Sequence, residues 1–129
     1  MVKHSFTPAQ ANRTLPLVKR IVRDLLEKGR EVRELAPRQR ESEVATRVRE
    51  LEVELRELAS ELERIGCSYK DWGFEAGLVD FPARIEGEEV LLCWRSDEEQ
   101  VTFFHTPDAG FAGRTPIPAE LLESGADQA

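Results

Sequence analysis

The chain has 129 residues, the length of one ordinary domain, with 40% hydrophobic residues, 33% charged residues and a formal net charge of −7. Apolar residues recur periodically, which excludes a disordered chain. The acidic balance, with Lys and Arg dispersed, argues against nucleic acid as a partner. No stretch approaches the roughly 20 apolar residues that span a bilayer, and Met1-Val2-Lys3-His4-Ser5-Phe6 lacks the apolar core of a signal peptide, so no membrane partner and a cytoplasmic location are expected.

The first half reads as helix. Thr7-Pro8-Ala9-Gln10 has the form of a capping box with Pro at the first helical position and Phe6 as a hydrophobic staple. Leu15, Val18, Val22, Leu25, Gly29, Val32 and Ala36 then alternate spacings of three and four, a heptad seam that Ile21 and Leu26 widen. Pro16 removes one helical hydrogen bond and predicts a kink or break near Leu15. After a polar connection, Ser42 reads as the N-cap of a second helix. Its seam is Val44, Val48, Leu51, Leu55, Leu58, Leu62 and Ile65, with Gly66 as its stop. A short connection between helices of similar length makes an antiparallel, coiled-coil-like hairpin. The apolar residues left over, notably Ile21, Leu26 and Leu35, need a partner: the rest of the chain, or a second copy in a homodimer built through the hairpin.

The second half changes period. Leu78 through Ile85 reads as a strand with Pro82 at an edge or bulge, Glu86-Gly87 as a turn, Glu88 through Arg95 as a strand, and Gln100 through His105 as a third; Ser68-Tyr69-Lys70 offers a short fourth. The fold class is therefore α+β: a long helical hairpin followed by a three- to four-stranded antiparallel β-meander. The expectation is one domain over residues 1–129, with the hairpin at 6–65, the meander and a Gly-rich loop at 68–117, and a disordered tail at 118–129.

Residues with chemical potential gather in the β half. Asp80 and Arg84 share a face of one strand by the period of two; Cys93 and Arg95 share a face of the next; His105 ends the third. In Asp108-Ala109-Gly110-Phe111-Ala112-Gly113-Arg114, Gly110 and Gly113 let backbone amides turn inward beside a guanidinium, a loop suited to a small anion. Asp80, Arg84, Arg95, Asp108, Gly110, Gly113 and Arg114 are thus candidate ligand-binding residues. Cys93, His105 and Asp80 are candidate ligands of a divalent metal such as zinc or iron, met across strands since no local ligand spacing exists. Cys93 as a nucleophile with His105 as base is a third reading. The bland alternative is a core cysteine, a hydrogen-bonded histidine, and arginines paired with Asp80 and Asp108.

Phe6-Thr7-Pro8, Ala11-Asn12, Leu15-Pro16-Leu17, Gly77-Leu78-Val79-Asp80-Phe81-Pro82-Ala83, Leu92-Cys93-Trp94-Arg95, His105 and Gly110-Phe111-Ala112-Gly113-Arg114 with Pro116-Ile117 together resemble the family catalogued as domain of unknown function 2203. The resemblance implies a cytoplasmic, single-domain prokaryotic protein and carries over no reaction, substrate or cofactor. Two functions from different classes follow: a self-associating interaction or scaffold protein with a small polar site on its sheet, or a metal- or anion-dependent enzyme or small-ligand binder using the Asp/Cys/Arg/His cluster.

Overall fold

A computed structural model describes residues 5–123. Helix α1 (Pro8–Leu35) opens on the expected capping box: the Gln10 amide donates to Thr7 Oγ1 at 3.1 Å, and the Thr7 amide donates to Gln10 Oε1 at 2.9 Å. The break expected at Pro16 does not occur. Pro16 is exposed, and only the bond to the carbonyl four residues back is lost, while Leu15 and Val18 beside it are buried and hold the helix to the core. Helix α2 (Ser42–Ile65) is capped one residue earlier than the sequence suggests. Extended Glu41 is its N-cap, and Ser42 is already helical, its carbonyl accepting the Thr46 hydroxyl at 3.0 Å. Gly66, at φ 114°, ends it in the left-handed region where glycine carries no Cβ penalty. Ion pairs Lys28–Glu54 and Arg47–Glu31 cross between the helices at 2.6 and 2.9 Å, which requires the antiparallel arrangement of a hairpin.

The sheet has five strands, one more than the upper expectation, in the order β1 (Ser68–Tyr69), β2 (Leu78–Ile85), β3 (Glu88–Arg95), β4 (Phe103–His105) and β5 (Thr115–Pro116), each antiparallel to the next. Strand β5 is a two-residue pairing containing a proline, too short to leave a periodic signal. Strand β4 is shorter than the expected run from Gln100, because Asn12 on α1 takes the backbone there. Its Oδ1 accepts from the Val101 amide at 2.6 Å and its Nδ2 donates to the Val101 carbonyl at 3.2 Å. Pro82 lies beyond the reach of β1, and its carbonyl accepts from the Phe6 amide at 2.7 Å, so its missing donor faces away from β3. The tail after Pro118, where a weak helix at best and then disorder is expected, begins with a short helix α3 (Ala119–Glu123), whose Leu121 and Leu122 pack on the core; the rest of the expected disorder, residues 124–129, lies outside the described residues.

The two sheet faces have different fates. Val79, Phe81, Ala83 and Ile85 of β2, with Val90, Leu92 and Trp94 of β3, point at the hairpin and are buried in one cluster with Leu15, Val18, Val22 and Leu25. Ile21 is covered within the chain as well, while Leu26 and Leu35 are half-buried. The outer face carries Leu78, Asp80, Pro82 and Arg84 of β2 and Leu91, Cys93 and Arg95 of β3.

The connection from β1 to β2 docks on α1. The Asp71 carboxylate accepts from the amides of Gly73, Glu75 and Ala76, and Arg30 and Arg33 donate to the carbonyls of Phe74, Glu75 and Gly73. This arrangement holds Phe74 at φ 59° with its ring against Gly29. A Cβ at Gly29 would stand 2.1 Å from Phe74 Cδ1, so the glycine in the heptad seam is the socket for that ring. Gly29→Ala is expected to lower unfolding free energy by about 1–3 kcal/mol in urea denaturation, the overpacking range. Unchanged stability would show that Phe74 does not dock there.

Candidate functional site

The two-residue turn Glu86-Gly87, with φ of 52° and 81°, has the positive φ pair of a type I′ hairpin. A turn of that kind sets the register: Ile85 faces Glu88, and counting outward places Asp80 directly opposite Cys93. On the other side of β3, Leu91 faces His105, so His105 sits diagonally from Cys93 on the same outer face. The result is three chemically capable side chains in one place. Their ligand atoms (a carboxylate oxygen, a thiol sulfur and an imidazole nitrogen) all lie within 4.8 Å of one another, and Asp80, Cys93 and His105 are buried at 5%, 1% and 4% exposure.

The loop after β4 covers them. Leu78, Leu91, Pro107, Gly110 and Phe111 wall a cavity of about 220 Å³ over the cluster, with Lys70 at its rim. Arg114 fastens this loop: its guanidinium stacks on Phe103 at 4.0 Å and Phe111 at 4.6 Å, meets the Glu98 carboxylate at 2.8 Å, and donates to the Cys93 carbonyl at 3.3 Å. Glu98 in turn accepts from the Arg95 amide at 2.8 Å.

The histidine geometry is informative. Its Nδ1 lies 2.7 Å from the Thr106 carbonyl, an acceptor only, so Nδ1 carries the proton. Its Nε2 faces Asp80 Oδ1 at 3.3 Å. In the neutral ring that leaves a lone pair pointed at a carboxylate, two acceptors face to face in a buried place. A proton or a metal ion between them removes the conflict. The separation is longer than the roughly 2.7–2.9 Å of a charge-assisted N–H···O bond. Backbone fixing of Nδ1 with Nε2 presented inward is the arrangement of metal-ligating histidines.

Burial, and then the Asp80 carboxylate, push the Cys93 thiol up to about 12, with Arg114 opposing only in part. That is the reverse of an activated nucleophile, which needs a depressed thiol and an electropositive surround. Arg95, on the same face of β3 as Cys93, turns away to Asp97 at 2.7 Å.

The remaining candidates do not join the cluster. Arg84 is exposed and donates to the Gly87 carbonyl; Asp108 is exposed and accepts from the Thr106 hydroxyl. Arg114 pairs with Glu98, and Arg95 with Asp97, in place of the expected Asp80 and Asp108. The inward-turned amides expected of the Gly110–Gly113 loop are used internally: Gly113 donates to the Gly110 carbonyl and Arg114 to the Phe111 carbonyl, forming a 3₁₀ turn. Gly110 is the member of that loop that lines the cavity. Lys70, which the sequence marks only as part of a short strand, lies after β1 opposite Leu78 and so on the outer face, where it lines the cavity.

The fold and site together define a two-layer α+β protein with a buried Asp/Cys/His cluster on the outer face of its sheet. Residues 4–117 match the family model described as "Uncharacterized conserved protein (DUF2203)", and the chain belongs to that family. No curated protein and no solved structure matches it. No helix among the described residues is long and apolar enough to cross a membrane.

Burial also pushes the Cys67 thiol and the Tyr69 phenol up to about 12, the latter helped by the Asp71 carboxylate. Folding therefore favours the protonated form of Cys67, Tyr69 and Cys93, whose ordinary values are 9.0, 10.0 and 9.0. The stability this contributes is complete below about pH 9 and is lost as pH rises toward about 12, because the unfolded chain releases those protons first. In metal-free protein the thermal midpoint followed by circular dichroism is expected to fall between neutral and strongly alkaline pH; a midpoint independent of pH in that range would contradict the assignment.

Proposed function

We propose that Asp80, Cys93 and His105 hold one divalent transition-metal ion, zinc or iron(II), and that the protein acts through the coordination position left open toward the cavity, as a metal-dependent ligand binder or enzyme. The observation that carries this is the convergence of three buried ligand atoms with the His105 Nδ1 proton already spent on a backbone carbonyl. Thiolate, imidazole and carboxylate suit these two metals, and three protein ligands with a fourth position open is the pattern of reactive sites rather than closed structural ones. Bond lengths of about 2.0–2.3 Å put tetrahedral ligands roughly 3.3–3.7 Å apart, within a small inward adjustment of the observed spacing. Such an ion supplies Lewis-acid polarisation to whatever binds beside it. It would also stabilise the Cys93 thiolate, which burial alone disfavours.

A reducing compartment, the cytosol, suits this chemistry and the free thiols of Cys67 and Cys93. A scaffold role through self-association of the hairpin is a second reading, supported by the exposure of Leu17 at 48% and Val53 at 47% on its two helices. Sedimentation at monomer mass across micromolar concentrations would remove it.

Elemental analysis of native, untagged protein tests the metal directly. Near-stoichiometric zinc or iron is expected, lost in Cys93→Ala, His105→Ala and the isosteric Asp80→Asn while circular dichroism reports the fold retained. No metal above background in folded wild-type protein would leave the cluster a buried His105–Asp80 contact beside a core cysteine.

A further inference from the structure

We propose that the cavity above the cluster binds a small monocarboxylate with an apolar body, its head group placed between the metal and the Lys70 ammonium. The proposal rests on Asp80, Cys93 and His105 being metal ligands, and it names what the open position takes.

Charge decides the class of head group. A divalent ion with one carboxylate, one thiolate and a neutral imidazole forms a sphere with no net charge. A fourth ligand that is an anion then leaves one negative charge for the surroundings to meet. Lys70 is the positive group among the cavity-lining residues. It is also unengaged: Lys19 donates to the Glu99 carbonyl and Lys28 to Glu54, whereas the Lys70 ammonium has no partner among the described residues. Its position is built in. The Lys70 amide donates to the Leu78 carbonyl at 2.8 Å, extending the register in which Ser68 faces Asp80 and Tyr69 faces Val79. Strand alternation therefore sends Tyr69 into the core, where it is buried, and Lys70 to the outer face beside Leu78 and Asp80.

The neighbouring arginines and the turn amides of the loop are engaged elsewhere, and Arg114 Nε, which is buried without a partner, does not line the cavity. Arg95 pairs with Asp97, Arg114 pairs with Glu98, and the Gly113 and Arg114 amides close the 3₁₀ turn. One ammonium and one metal position match a single negative charge; a phosphate dianion would bring further oxygens against Leu78, Leu91, Pro107 and Phe111. Those same walls fit an aliphatic or small aromatic body. At about 220 Å³ the cavity lies below the roughly 300–1,000 Å³ of sites for drug-sized ligands, which limits the body to a few carbons.

The test uses the full chain loaded with cobalt(II), whose visible bands report both the thiolate ligand and the occupant of the open position. Isobutyrate is expected to shift the cobalt bands saturably, while isobutyramide and inorganic phosphate shift them only at far higher concentration. Lys70→Gln should keep cobalt content and the sulfur-to-cobalt band but bind isobutyrate about fivefold more weakly, the upper range of an exposed ion pair. Equal affinity for the amide, a phosphate shift as strong as that of isobutyrate, or unchanged affinity in Lys70→Gln would overturn the proposal while leaving the metal site standing. Absence of a sulfur-to-cobalt band in the wild-type protein would remove the metal site itself, and this inference with it.

Discussion

The ladder between β2 and β3 is the constraint on which the rest depends. Eight residue pairs run from Leu78–Arg95 to Ile85–Glu88, and the tight turn at Glu86-Gly87 leaves no freedom to slip. A one-residue shift would turn Val79, Phe81, Leu92 and Trp94 outward and carry Asp80 and Cys93 into the apolar interface with the hairpin. Burying a carboxylate there without partners is among the most unfavourable things a chain can do. The same register that fills the core therefore places a carboxylate beside a thiol on the opposite face.

Because that outer face holds buried polar groups, it has to be covered and compensated. The loop after His105 does the covering, and the Arg114–Glu98 pair with its two aromatic neighbours fastens it down. Glu98 sits in the turn after β3, so the element that ends β3 also anchors the far end of the loop. The hairpin stabilises the sheet from the other side through a few specific contacts. Asn12 stands in for a strand partner at Val101, and Arg30 and Arg33 hold the connection that carries Lys70. Thus the side chains around the cluster are positioned by both layers, although no helix contributes a residue to it.

Legibility in the sequence followed the range of the interaction concerned. Helices α1 and α2 were readable from the spacings of Leu15 to Val32 and Val44 to Ile65, because helical periodicity is local. So were the bounds of β2 and β3. The misreadings arose where a distant group overrides local pattern: Asn12 takes the backbone at Val101 and shortens β4, and burial of Leu15 and Val18 carries α1 through Pro16. Strand β5, at two residues, has no pattern to read. For the site, Asp80 opposite Cys93 was available by counting from Glu86-Gly87. The placement of His105 depended on the longer connection between Arg95 and Phe103, whose course no local rule supplies. The arginines misled because a guanidinium near a carboxylate in sequence does not fix which acid it meets: Arg114 meets Glu98 and Arg95 meets Asp97, both acids of the turn after β3.

The central claim is that the three side chains act as ligands of one ion, and X-ray absorption at the metal edge of the native protein tests it most directly. The account predicts one sulfur scatterer at about 2.3 Å with nitrogen and oxygen neighbours at about 2.0–2.1 Å, and loss of the sulfur shell in Cys93→Ala. A bound metal surrounded by oxygen and nitrogen alone, with the same spectrum in that variant, would mean that the ion sits elsewhere and that Asp80, Cys93 and His105 are no metal centre.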